Sequence, residues 1–317
     1  MLNSASTIIN STTVRSPSAM RLARVVLHTA YLLSDDLGTS LAERLFTSPR
    51  RHARPARERA ILATGRRFTV DVVRRSPRWG GQRTRVAAWR WGLGPTVLLV
   101  HGWEGRASQL GSFVEPLVAA GLSVVAFDAP AHGDSVGSRL YLTDLADAIA
   151  DVTAAVGPLH ATIAHSFGAA AMLLAHARGG VDAPRNVMLS PNVLIDDAVT
   201  RFAGVVALPA ADRVRFEEHL VAASGVNLAE LTVDRLAAGR DAGLLVIHDP
   251  ADREVAFRHG EILAATWPGA RLHGTEGLGH RRILRDPSVI AQAVAFVRHG
   301  VAPPASDLVR EVDRLLA

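Results

Sequence analysis

The chain has 317 residues, 48% of them hydrophobic, enough to bury one sizeable core or a core with a subdomain. It contains no cysteine, which excludes disulfides, thiolate catalysis and sulfur-ligated metals. No stretch approaches the roughly 18 uninterrupted apolar residues of a membrane-spanning helix. The formal charge of +5 is carried by arginine alone on the basic side and is uneven. Residues 1–95 hold 17 Arg against 5 acids, whereas the remainder holds 18 Arg against 25 acids.

Such an asymmetry marks contact with nucleic acid or an anionic membrane, or else a basic arm packed on an acidic body. The packing reading is preferred, so no nucleic-acid partner is expected, and peripheral membrane contact through the basic N-terminal region is the lesser alternative. The leader, with Arg15, Arg21 and Arg24 among Ser and Thr and no acid before Asp35, resembles an organellar transit peptide. With so much Ala and Arg, a cytoplasmic bacterial protein with a ragged start is the preferred expectation.

Three textures follow in chain order. Residues 1–66 read as an N-terminal helical extension. A helix near Met20–Leu33 carries an apolar stripe of Leu22, Val25, Val26, His28, Ala30 and Leu32; Thr47-Ser48-Pro49 breaks it, and a polar basic stretch runs from Arg50 to Arg59. No chemistry is assigned to it. Next, Phe68–Val73 and Val86–Trp91 alternate apolar and polar residues as half-buried strands do, with Gly80-Gly81 marking a hairpin-like connection. Thr96–Val100 is a short apolar run, as in a strand covered on both faces. Helices near Ser108–Ala120, Thr143–Val156 and Phe167–Ala177 then alternate with strands at Ser123–Phe127 and Ala161–Ala164. Repeated strand–helix units imply a parallel sheet.

Strands resume at Asn186–Leu189 and Leu244–Ile247. The intervening Asp196–Asp241 is helical and amphipathic, so a helical lid over 196–241 is expected, inserted into a core made of 67–195 and 242–317. A helix at Val255–Thr266, a strand at Ala270–His273, a helix at Pro287–Val297 and a terminal helix near Ser306–Leu316 complete the chain.

The chemistry-bearing signal is Ala164-His165-Ser166-Phe167-Gly168 between a strand and a helix. A serine in so tight a turn needs small residues two positions either side, the G-x-S-x-G pattern; Ala164 departs mildly from it. The helix behind the serine aims its free N–H groups at the reacting oxygen. His101-Gly102-Trp103 ends another strand, so the Trp103 and Phe167 main-chain N–H groups are the candidate oxyanion donors. After Ile247 the loop His248-Asp249-Pro250-Ala251-Asp252 offers a carboxylate to orient a histidine. Asp252 is preferred over Asp249, which precedes Pro250 and suits the turn; Asp196 and Asp197 are a minor option. His280, in Gly277-Leu278-Gly279-His280, is the candidate base, singled out from thirteen histidines by the order Ser, Asp, His on loops after successive strands.

Taken together, Val97–Trp103, Phe127–Ser135, Ala164–Gly168, His248–Val255 and Gly277–His280 make the chain resemble an α/β-hydrolase-fold serine hydrolase over roughly residues 65–300. The resemblance implies a mostly parallel central sheet flanked by helices, with Ser166, Asp252 and His280 as a catalytic triad. It also implies an ester-like small-molecule substrate with a small to medium acyl group, cleaved through an acyl-serine, with thioesterase, lactonase, amidase or perhydrolase chemistry as alternatives; a non-catalytic membrane-surface or binding protein of the same fold is the lesser reading. Asp128, His132 and Asp134 are read as structural, Glu104 and His165 as candidate substrate contacts, and Arg106 and Arg281 as residues able to steer an acidic substrate. No HExxH, no ligand-spaced His/Asp cluster and no phosphate loop occurs, so no metal and no cofactor is expected.

Overall fold

The computed structural model of the protein describes residues 17–300. The leader before them, with Arg15, and the terminal helix expected near Ser306–Leu316 lie outside the described residues. Eight strands form one sheet: β1 (Arg66–Arg74), β2 (Gln82–Trp91), β3 (Thr96–Val100), β4 (Ser123–Phe127), β5 (Leu159–His165), β6 (Arg185–Leu189), β7 (Gly243–His248) and β8 (Arg271–Gly274). Their order is β1-β2-β4-β3-β5-β6-β7-β8. β1 and β2 pair antiparallel, through a turn in which Gly80 and Gly81 both take positive φ, and β2 runs antiparallel to β4. The other pairings are parallel. This is an α/β-hydrolase sheet.

Alternation along the strands divides the core. Leu98 and Val100 point into one apolar layer with Ile149, Met172 and Leu263, while Val97 and Leu99 point into the opposite layer with Phe113, Leu117 and Val294. Both sheet faces are therefore covered, which explains why β3 and β4 are apolar at nearly every position and fully buried. Each such Val or Leu contributes about 1.5–3 kcal/mol of burial.

The helices are α1 (Pro17–Leu33), α2 (Asp35–Thr47), α3 (Ala56–Ala63), α4 (Val114–Ala119), α5 (Leu142–Val156), α6 (Phe167–Ala177), α7 (Ile195–Val206), α8 (Ala210–Ser224), α9 (Val233–Ala237), α10 (Arg258–Thr266), α11 (Gly279–Arg282) and α12 (Pro287–His299). Where a continuous helix is expected from Ser108, the chain makes a 3-10 segment over Ala107–Phe113 before α4. α10 starts at Arg258 rather than Val255, because Asp252 Oδ1 accepts from the Glu254 and Val255 N–H groups and holds that stretch as a turn.

α7, α8 and α9 lie between β6 and β7, which are neighbours in the sheet. They do not stand alone. Leu27 and Tyr31 of α1 and Ala42 of α2 share a third apolar cluster with Val199, Val206, Phe216 and Leu220. Phe46, Phe202 and Phe216 pack there with ring centroids 5.1–5.6 Å apart. Of the stripe read from the sequence only Ala30 is buried: Leu22, Val25, Val26 and Leu32 are exposed, and the side of α1 that packs is made by Ala30 with Met20, Leu27 and Tyr31.

The basic first third is held by ion pairs to the acidic body. Arg50 reaches Glu104 at 2.9 Å, and Arg54 reaches Asp128 at 2.9 Å and Asp134 at 2.7 Å. Glu58 on α3 takes Arg106 at 2.5 Å, with both side chains about 7% exposed. Burial alone would raise the Glu58 carboxyl; donors from Arg106 and Ser108 outweigh it and hold the group below its ordinary value. Glu58→Gln should therefore destabilise the protein by about 3–5 kcal/mol, because it strands a buried guanidinium, whereas Glu58→Met with Arg106→Met should recover most of that loss. Urea midpoints of the three proteins check this; equal midpoints for wild type and the single variant would refute it.

Candidate active site

Ser166 sits where β5 passes into α6, with φ +53° and ψ −120°. A non-glycine residue in this region costs about 1–3 kcal/mol and persists only when its surroundings fix it. Here they do. Ser166 N–H donates to Leu189 O at 3.0 Å, and its carbonyl accepts from Ala169 N at 3.0 Å. Gly168 is required: a Cβ there would come 2.4 Å from His101 O and 2.9 Å from Val100 O. At Gly102 a Cβ would come 3.0 Å from Ser166 Cβ. The turns after β3 and β5 thus touch through their glycines, while the Ala164 methyl is fully buried between β3 and β6.

The residues expected to work together are adjacent. His280 Nε2 lies 3.0 Å from Ser166 Oγ, and His280 Nδ1 lies 2.8 Å from Asp252 Oδ2. Burial opposes ionisation of Asp252. Hydrogen bonds from His248 and His280, with the Val255 N–H, overcome it and hold the carboxyl far below the usual carboxylate range. His280 is carried on α11 by a loop in which Gly277 and Gly279 take positive φ. Asp249 is committed elsewhere: it accepts from Ala251 N at 2.7 Å, Thr275 Oγ1 at 2.9 Å and Leu278 N at 2.5 Å, fastening the loop that carries His280. Asp197 pairs with Arg258 and His259, and Asp196 is exposed.

As the first residue of α6, Phe167 has no i−4 partner for its N–H, and neither its N–H nor that of Trp103 is taken by another backbone group among the described residues. The two rings meet edge to face at 5.5 Å. His165 packs against His280 with ring centroids 4.6 Å apart, and its Nε2–H donates to His280 O at 3.1 Å. Burial first, then the proximity of His280, pushes His165 well below its ordinary value. Glu104, at φ +54°, binds Arg50 through both carboxylate oxygens and gives its N–H to His132 Nε2 at 3.1 Å. Asp128 accepts from Ala107 N and Asp134 N, bracing the turn after β4. Gly133 is needed there, since a Cβ would sit 1.9 Å from Asp128 Oδ2.

Two residues were not singled out in the sequence. His248 Nε2 lies 3.4 Å from Asp252 Oδ2 and 3.2 Å from Val255 O, a second clamp on the carboxylate. Its only sequence signal was its place four residues before Asp252. Arg50, in the stretch read as without chemistry, ties the N-terminal segment to Glu104 beside the serine.

Two cavities meet at Ser166 and His280. One, of about 250 Å³, is lined by Met20, Phe46, Phe202, Val205 and other apolar side chains. The other, of about 320 Å³, is polar and arginine-rich. Among the described residues no group of three or more His, Asp or Glu could hold a metal ion, and no helix is long and apolar enough to cross a membrane.

Residues 94–293 match the model of the serine aminopeptidase S33 family. The chain belongs to that α/β-hydrolase family. It is an enzyme of the hydrolase class, similar to esterases and lipases. A monoacylglycerol lipase of Mycolicibacterium smegmatis is 30% identical over 224 residues, covering 58% of this chain and 80% of that protein. The fold is shared with an esterase from Rhodococcus sp. ECU1013 (TM-score 0.53, 18% identity, 74% of this chain and 99% of that one). It is also shared with a bacterial membrane phospholipase A described as a virulence factor (TM-score 0.51, 20% identity, 92% and 99%). The family match begins at residue 94, so α1–α3 and the β1–β2 hairpin lie outside it.

Two outcomes follow. Asp252→Asn should cut kcat about 10⁴-fold by disturbing the tautomer and orientation of His280, whereas Asp249→Asn should act mainly on melting temperature by loosening Leu278 and Thr275. Steady-state kinetics with calorimetry separates them; a larger kcat loss for Asp249→Asn would reverse the assignment. The second concerns acid. Burial drives His101 from 6.5 down to about 3, and His132 and His259 down to about 4. Each folds neutral, while its unfolded counterpart protonates near 6.5, so below that pH the unfolded chain binds more protons. Stability that is complete above pH 6.5 is therefore lost as pH falls toward 4, by at most about 1.4 kcal/mol per pH unit for each histidine. Denaturant midpoints that stay constant from pH 6.5 to 4.5 would contradict this.

Proposed function

We propose that the protein is a serine carboxylesterase acting on esters with a small to medium apolar acyl group. The reading is carried by one observation: an unbroken hydrogen-bond chain from Ser166 through His280 to Asp252 whose serine end opens into an apolar cavity. The likeness to a monoacylglycerol lipase supports it.

In this mechanism His280 Nε2 takes the Ser166 proton as Oγ attacks the acyl carbonyl. The negative charge that develops on the carbonyl oxygen is met by the Trp103 and Phe167 N–H groups. His280 then passes its proton to the departing alkoxide, leaving an acyl-serine and a free alcohol. Water enters, gives a proton to His280 and attacks the acyl carbon; the proton returns to Ser166 as the acid leaves. Asp252, held ionised, fixes the tautomer of His280 and stabilises its cationic form. Glu104 and His165 act as positioning residues beside the serine.

The family takes its name from aminopeptidases, which must bind a free ammonium group. The carboxylates bordering Ser166 are already engaged: Glu104 pairs with Arg50, and Glu254 pairs with Arg281 at 2.8 Å. That and the apolar cavity favour an ester over a peptide. α7–α9, with the N-terminal helices packed on them, serve as the lid, and 17–47 forms part of the acyl-binding wall.

A fluorophosphonate probe should label the wild-type protein and not Ser166→Ala, and 4-nitrophenyl ester turnover should peak between butyrate and octanoate and fall at laurate. Phe202→Ala should move that peak to longer chains. Folded wild-type protein that neither reacts with the probe nor cleaves any ester of the series would sink the proposal.

A further inference from the structure

The polar cavity is the second chamber at the serine. Besides Ser166 and His280 it is bounded by Arg57, Gln109, Ser112, Glu254, Arg281 and Arg285. Three arginines face it, and their partners decide what it can hold. Arg281 is neutralised by Glu254. Glu58, also on its wall, is neutralised by Arg106. The two arginines that the sequence marked for steering an acidic substrate, Arg106 and Arg281, are thus both committed within the protein.

Arg57 on α3 and Arg285 after α11 are different. Neither makes an ion pair among the described residues, and both are exposed toward the chamber. Both line the same chamber, and the Arg285 guanidinium is lowered from its ordinary value first by burial and then by the Arg57 charge, with Glu58 acting in the opposite sense. Two like charges on the wall of one concave site, which neutral Gln109 and Ser112 also line, make a receptor lacking its anion. The apolar chamber borders the same serine and is suited to the acyl chain. The remaining side of the scissile ester, the alcohol, therefore falls in the arginine chamber.

We infer that the preferred substrates carry an anionic group, a carboxylate or a phosphate monoester, on the alcohol side of the ester, and that Arg57 and Arg285 bind it. This rests on the carboxylesterase reading and specifies its substrate class. The chemistry is unchanged: the ester C–O bond breaks, His280 protonates the alkoxide, and the anion leaves still attached to the alcohol.

The test compares 4-carboxyphenyl butyrate with its neutral counterpart 4-carbamoylphenyl butyrate, together with butyryl glycerol 3-phosphate as the phosphate arm. In wild type against Arg57→Ala with Arg285→Ala, the anionic-to-neutral ratio of kcat/KM should fall about tenfold per arginine removed, the size of a lost charge-assisted hydrogen bond, and mostly through KM. The neutral ester normalises for any general damage. Arg285→Glu should lower the ratio further, and Arg285→Lys should restore part of it. Whichever anionic substrate shows the larger loss identifies carboxylate or phosphate as the natural group. A ratio that is the same in wild type and double variant overturns the inference. Binding is also read without turnover: benzoate and phenyl phosphate should bind Ser166→Ala, followed by tryptophan fluorescence, and bind at least tenfold more weakly once Arg57 and Arg285 are removed. Loss of ester cleavage with that binding intact would fault the esterase reading alone. Equal binding with and without the two arginines would fault the anion site alone.

Discussion

The contact between two turns governs the site. Ser166 is held at positive φ because β3 and β5 are hydrogen-bonded neighbours whose ends leave no room for a side chain at Gly102 or Gly168. That closeness brings the turn carrying Trp103 against the one that carries the Ser166 hydroxyl. It also aligns the start of α6 with it. Everything else at the site converges on the hydroxyl so placed: β7 and β8, further along the same sheet, deliver Asp252 and His280 from loops of their own.

A second layer of constraint keeps those loops in place. His248 and the Glu254 and Val255 N–H groups hold the Asp252 carboxylate, and Asp249 holds Leu278 in the loop before His280. Two acids three residues apart therefore divide the work: Asp252 faces the imidazole, and Asp249 shapes the loop that presents it.

Much of this was legible in the sequence because it is local. The strands β3 and β4 and helix α6 were readable to the residue, since a doubly covered strand must be apolar throughout and a nucleophile turn needs small neighbours. The Ser–Asp–His order was readable for another reason, that each of the three follows a strand of its own. What was hidden depends on contacts distant in the chain. The apolar stripe of α1 gave no sign of which side would pack, because both sides carry apolar residues and the packing of α1 on α2 and α7 decides between them. Likewise, an arginine's spacing does not tell whether a carboxylate awaits it. Arg106 and Arg281 found Glu58 and Glu254, whereas Arg57 and Arg285 line one chamber without an ion-pair partner among the described residues.

The wall of the apolar cavity has two origins. Ser166, Phe202 and His280 lie inside the segment that matches the family, while Met20 and Phe46 lie well upstream of it. The wall of the chamber is consequently written in two parts of the gene, and the serine and histidine in one of them. Changes in the upstream part can re-tailor the chamber without touching the inherited reaction centre. Two descendants that agree throughout the shared core can then part company in diet, and sequence identity measured over that core will underestimate how far apart they have moved.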